Sequence, residues 1–190
     1  MKKILLSFLL AVALVLVPVA GALAATDTVT VTATPSFVGI SNSPSDWTLN
    51  SITGDSIIDS NITYYANPGG DTTAPSTTVT DGECYFTLSN TSSENTTVSI
   101  DISDFTGGSD PMVNSNSGTN GAGTFGAYAW YSGMTYSNKV VAKSTGSEVL
   151  CSSLAANTDL KWGMEITTQS DAWTGGTSST ATITITVTAA

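Results

Sequence analysis

Apolar and polar residues alternate in short runs along most of this chain, and the clearest pair of runs lies in residues 84–105, CYFTLSNTSSENTTVSIDISDF. Cys84, Phe86 and Leu88 alternate with Tyr85, Thr87 and Ser89, and Val98, Ile100 and Ile102 alternate with Thr97, Ser99 and Asp101. A period of two places each apolar row on one face of a strand. Residues 90–96 are Asn, Ser, Thr and Glu, so the segment reads as a β-hairpin with a polar turn.

The same pattern recurs on both sides. Residues 26–34, TDTVTVTAT, form a Thr/Val strand ending at Pro35. Two short strands fit residues 36–50 around the turn Ser43-Pro44-Ser45, and residues 56–65 make a strand that stops at Asn67-Pro68-Gly69-Gly70. Residues 77–80 lead into Asp81-Gly82, a two-residue hairpin connector. The stretch 106–123, rich in Gly, Asn and Ser, reads as a long surface loop with little to bury beyond Met112 and Val113. Residues 125–131 are an aromatic strand, and residues 135–143 and 148–151 suit a hairpin across 144–147. Residues 152–159 hold at most one helical turn. Trp162, Met164 and Ile166 share one face of a strand at 160–168, and Ala181, Ile183, Ile185 and Val187 share one face of a strand at 180–189. About nine or ten short, evenly spaced strands with no amphipathic helix predict an all-β chain, a single β-sandwich domain. Nearly a third of the residues are Ser or Thr, which suits strands with one wet face.

The first residues change the picture of where this domain works. Met1-Lys2-Lys3, an apolar run and Ala22-Leu23-Ala24 make a secretory signal peptide over residues 1–24, with cleavage after Ala24 or Ala25 and a mature domain over 25–190. The expected destination is extracellular or at the cell surface, with no integral membrane span left after cleavage. Loss of Lys2 and Lys3 leaves three lysines against 15 acids, a net charge of −12 on a chain without arginine. Such a surface argues against nucleic acid as a partner. Two cysteines remain, Cys84 and Cys151, and an even count in a secreted chain predicts a disulfide between them, stabilising by roughly 4 kcal/mol for so long a loop.

Candidate chemistry is sparse. Without histidine or arginine, Ser-His-Asp and Cys-His arrangements cannot be built, and no enzyme activity is expected. No cofactor is expected either, with calcium as the one candidate ion: Asp101, Asp104 and Asp110 cluster around Gly107-Gly108 and offer hard oxygen ligands, although their spacing matches no EF-hand. Asn61, Asn90 and Asn95 begin Asn-x-Ser/Thr sequons, candidate glycosylation sites. Trp173, in the loop QSDAWTGG, is the candidate aromatic for carbohydrate, whereas Trp162 belongs to the core. The strand at 26–34, freed at its leading end by signal cleavage, is suited either to pair within its own domain or to add to the sheet edge of another copy.

In layout the chain resembles the secreted β-sandwich family of TasA and camelysin-type matrix proteins and the related archaeal bundling pilins. The resemblance rests on the leader followed at once by a Thr/Val strand, on FTLSNTSSENTTVSIDISDF, and on LAANTDLKWGMEITTQ and ATITITVTA. It implies a jelly-roll-like sandwich assembling into extracellular fibres by donor-strand exchange, with Val29, Val31 and Ala33 as the donor's apolar row. The two cysteines and the long Gly/Asn loop depart from that pattern. The alternative is a secreted carbohydrate-binding or adhesion module acting as a monomer.

Overall fold

Ten strands form among the described residues, but their pairing is not that of simple hairpins. The computed structural model describes residues 39–47, 61–69, 72–108, 111–169 and 179–190. All lie in the second of two compact units, Met1–Pro35 and Ser36–Ala190. The expected leader at 1–24 and the expected strand at 26–34 fall outside the described residues. The strands are β1 (Ile40–Ser43), β2 (Asn61–Tyr65), β3 (Phe86–Asn90), β4 (Thr96–Ile102), β5 (Val113–Asn114), β6 (Thr124–Tyr131), β7 (Val140–Val141), β8 (Glu148–Leu154), β9 (Asp159–Gln169) and β10 (Ile183–Ala189).

Among the described residues a seven-stranded sheet is organised around β9, the longest of these strands. One edge of β9 pairs with β3 through residues 159–162 and with β2 through residues 165–169, and the other edge pairs with β6. β1 extends the sheet beyond β3, while β7 and the short parallel β5 extend it beyond β6. A second, antiparallel sheet of three strands runs in the order β10-β4-β8. Inward rows of both sheets meet in one core: Phe86 and Leu88 from β3, Val98, Ile100 and Ile102 from β4, Phe125, Ala127 and Ala129 from β6, and Leu160, Trp162, Met164 and Ile166 from β9. Each fully buried Leu or Ile here contributes about 1.5–3 kcal/mol relative to exposure. Trp162, stacked on Phe86 at 4.3 Å, is in the core as its alternation predicts.

The central segment is not a hairpin. β3 belongs to the large sheet and β4 to the small one, so residues 91–95 carry the chain from one sheet to the other. From Phe86 onward both arms keep the expected faces, but the two apolar rows oppose each other across the core instead of lying side by side, and Cys84, expected in the row of Phe86 and Leu88, packs with Val79, Trp130 and Met134 instead. Asn90 makes the crossing stable. Its buried amide donates to Thr96 Oγ1 (3.2 Å) and Ala155 O (3.0 Å) and accepts from the Ser92 N–H (2.9 Å), satisfying polar groups that the turn takes out of water.

Three further readings are corrected in the same way. The expected hairpin across 144–147 is another crossing, since β7 pairs with β6 and β8 with β4. Residues 148–154 are strand throughout, so this strand runs past its expected end at 151. Asp81-Gly82 lies in a 3-10 turn, Asp81–Glu83, because the Glu83 carboxylate gathers the N–H groups of Ser76 (2.7 Å) and Thr80 (2.8 Å) and both their hydroxyls.

The Gly/Asn-rich stretch is stitched down by two asparagines. Asn114 is buried and donates to Ile102 O (3.3 Å) and Ala142 O (2.9 Å). Asn116, in the left-handed region at φ 58, accepts from the Ser144 N–H at 2.7 Å. Met112 is buried and Val113 is exposed.

Candidate assembly edge

Two features stand out on this frame: an unevenly covered sheet edge and a buried carboxylate. The edge belongs to β10. Its register with β4 runs unbroken from Ile183↔Ile102 to Ala189↔Thr96. Thr184, Thr186 and Thr188 point to solvent, while Ile183, Ile185 and Val187 face the core yet are only half-buried. Among the described residues no strand pairs with the other edge of β10. The backbone bonds Ser103 N to Thr182 O and Ala190 N to Asn95 O show that even-numbered residues exchange bonds with β4. In an antiparallel ladder the alternate residues then aim their N–H and C=O groups away. The outer edge thus offers the backbone groups of Ile183, Ile185 and Val187, the residues whose side chains are incompletely covered. Neutral β-branched side chains with no charge or proline are the features that leave an edge open to pairing.

The carboxylate is Glu165, 3% exposed on the face of β9 turned away from the inter-sheet core. Its cross-strand neighbours are Tyr65 on β2 and Tyr128 on β6. The 3-10 turn Tyr136–Asn138 and Lys139 close over it. Lys139 Nζ lies 2.5 Å from Oε1, the Tyr136 hydroxyl donates to Oε2, and the ammonium sits 4.6 Å from the ring centroids of both Tyr128 and Tyr136. Burial first, and then Glu165 as acceptor and negative charge, holds the Tyr136 phenol far above its usual range. Tyr65 is raised by burial and then by the charge of Glu165. With both oxygens engaged, Glu165 serves to clamp the covering segment onto the sheet. Of the two ion pairs among the described residues it is the buried one, the other being Lys143 with Glu148.

Beside this clamp a small apolar cluster of Val79, Cys84, Trp130 and Met134 packs on the same face. Gly163 permits it, since a Cβ there would fall 2.6 Å from the Trp130 indole. The expected disulfide is absent: Cys84 and Cys151 are both free thiols. Cys84 sits in the outer-face cluster whereas Cys151 on β8 packs against the inter-sheet core, so the large sheet stands between them. Burial, followed by the charges of Asp81 and Glu83, pushes the Cys84 thiol up to about 12.

The other expected site residues are dispersed. Asp101 lies on the outer face of β4 opposite Thr184, and Asp104 accepts the Asn114 N–H at 2.8 Å. Asp110 lies outside the described residues, among which no three potential ligands converge on one ion. Asn90 is buried and spent on the crossing, Asn95 is exposed at the same turn, and Asn61 lies on β2. Val29, Val31, Ala33 and Trp173 lie outside the described residues. Among the described residues no helix is long and apolar enough to cross a membrane.

The Glu165 cluster did not emerge from sequence reasoning. A signal was present, however: a single acid between Met164 and Ile166 in the otherwise apolar run WGMEI. Comparison with protein-family models, curated proteins and solved structures found no match.

Proposed function

We propose that this chain is a structural subunit of an extracellular filament or cell-surface assembly. After secretion and removal of residues 1–24, the strand at 26–34 of one copy adds to a sheet edge of the next. The observation that carries this reading is the outer edge of β10, with its half-buried row Ile183, Ile185 and Val187 and its outward backbone groups. Val29, Val31 and Ala33 have the period and the size to complete that row. Repeated head to tail, such a contact does not close on itself and grows a filament. The body that receives the strand is a jelly-roll-like sandwich in this reading, in keeping with its layout resemblance to secreted matrix proteins and bundling pilins.

The test is negative-stain electron microscopy of mature protein over a range of concentrations. Regular filaments that vanish on deletion of residues 27–34, with the far-ultraviolet spectrum of the body retained, are expected. Monodisperse particles at every concentration would overturn self-assembly and favour a monomeric carbohydrate-binding module.

A further inference from the structure

The position of the chain ends relative to β10 restricts how the strand can be donated. Ile40 pairs with Asn90, Asn90 is bonded to Thr96, and Thr96 pairs with Ala189. Gly39 O accepts the Thr91 N–H at 2.9 Å, and the Ala190 N–H reaches Asn95 O, also at 2.9 Å. Gly39 therefore lies at the end of the body where β10 finishes.

Resting on the assembly reading above, the geometry points to an antiparallel docking on β10 that only a second copy can supply. One register matches three apolar residues to three: Val29 opposite Val187, Val31 opposite Ile185, and Ala33 opposite Ile183. Directly opposed residues of an antiparallel pair share a face, so this register sets the donor's apolar row over the core and its threonines beside Thr184, Thr186 and Thr188. Thr34 then lies beside Thr182, eight residues from Ala190, or ~27 Å at ~3.4 Å per residue. Five steps of chain join Thr34 to Gly39, and fully extended they span at most ~18 Å. A chain cannot dock its own strand in this register. Within one chain, a strand leading into Gly39 could lie beside β10 only in the parallel sense, the pairing that is slightly weaker per residue. Exchange between copies thus gives the antiparallel pairing, the stronger of the two per residue.

The register has a chemical signature. Thr30 falls opposite Thr186 as a non-hydrogen-bonded pair, with Cα atoms about 4.5 Å apart, inside the range a disulfide bridges. Single variants Thr30→Cys and Thr186→Cys, both carrying Cys151→Ser, are mixed and oxidised mildly, with Thr28→Cys and Thr188→Cys as a second pair in the same register. Disulfide-linked dimers in the mixtures, and a ladder of multimers from the double variant, are expected. Filaments by microscopy without these disulfides would overturn the β10 register while leaving strand addition standing. Neither filaments nor disulfides in either pair would overturn both. An intrachain disulfide in the double variant at high dilution would overturn the requirement for a second copy.

Discussion

Replacing Asn90 by Ala removes the amide that ties the two sheets together where the chain crosses between them. The substitution strands the Ser92 N–H and the Thr96 hydroxyl, both in fully buried residues, while the Ala155 carbonyl, in an exposed residue, can turn to water. A buried polar group left unpaired costs about 1–3 kcal/mol, so the loss should be about 3 kcal/mol once the Thr96 hydroxyl has rotated to its best alternative. For a chain of this size that corresponds to a fall in Tm of roughly 6–12 °C, and to a drop of about 1.5 M in the urea midpoint at an m-value near 2 kcal/mol/M. The internal control is Asn95→Ala in the same turn. Asn95 is exposed and accepts one bond from the Ala156 N–H at 3.3 Å, so its loss should stay within about 0.5 kcal/mol. Urea titration followed by tryptophan fluorescence measures both. If Asn90→Ala falls within about 0.5 kcal/mol of Asn95→Ala, Asn90 does not hold the crossing, and the polar turn is as loosely held as that of a surface hairpin.

Other consequences can be measured on the same preparation. Lys139→Met leaves the Glu165 carboxylate buried without its cation and should cost about 3 kcal/mol, while Lys139→Met combined with Glu165→Gln should recover most of it; additive losses in the double-mutant cycle would refute the clamp. The Glu83 carboxyl is held down to about 2, first by the Thr80 N–H and then by Ser76. A carboxyl lowered on folding adds stability that is complete above its unfolded value and is lost as pH falls through the folded one, so Glu83→Gln should flatten the stability profile between about pH 4.5 and 2. Thiol titration should count two free thiols in denaturant; in the native protein Cys151 should react first, with Cys84 protected. Raised on folding from 9.0 to about 12, the Cys84 thiol adds stability that is complete below pH 9 and is lost as pH rises towards 12, so Cys84→Ala should lessen alkaline destabilisation over that interval.

For the runs at 86–90, 98–102, 162–166 and 183–187, alternation by itself determined that they form strands and which face turns inward. Phe86, Leu88, Val98, Ile100, Trp162, Met164 and Ile166 are all in the core, because side-chain direction in a strand is a local property with a period of two. Which strand lies beside which was decided only by the tertiary structure. A hairpin and a crossing between sheets call for the same sequence, two alternating runs around a polar turn. They differ in whether edges or faces meet, and that is settled by long-range partners: β9 takes β3, and β10 and β8 take β4. The same dependence separates Cys84 from Cys151, which an even count had paired, since counting carries no information about the sheet standing between them. It also buries Glu165. A carboxylate on the outer face of a strand is expected in water, and only the return of residues 136–139 over that face, with Tyr136 and Lys139 in position to satisfy both oxygens, takes it out of solvent. Pairing and burial depend on contacts between residues far apart in the chain, and local periodicity does not encode them.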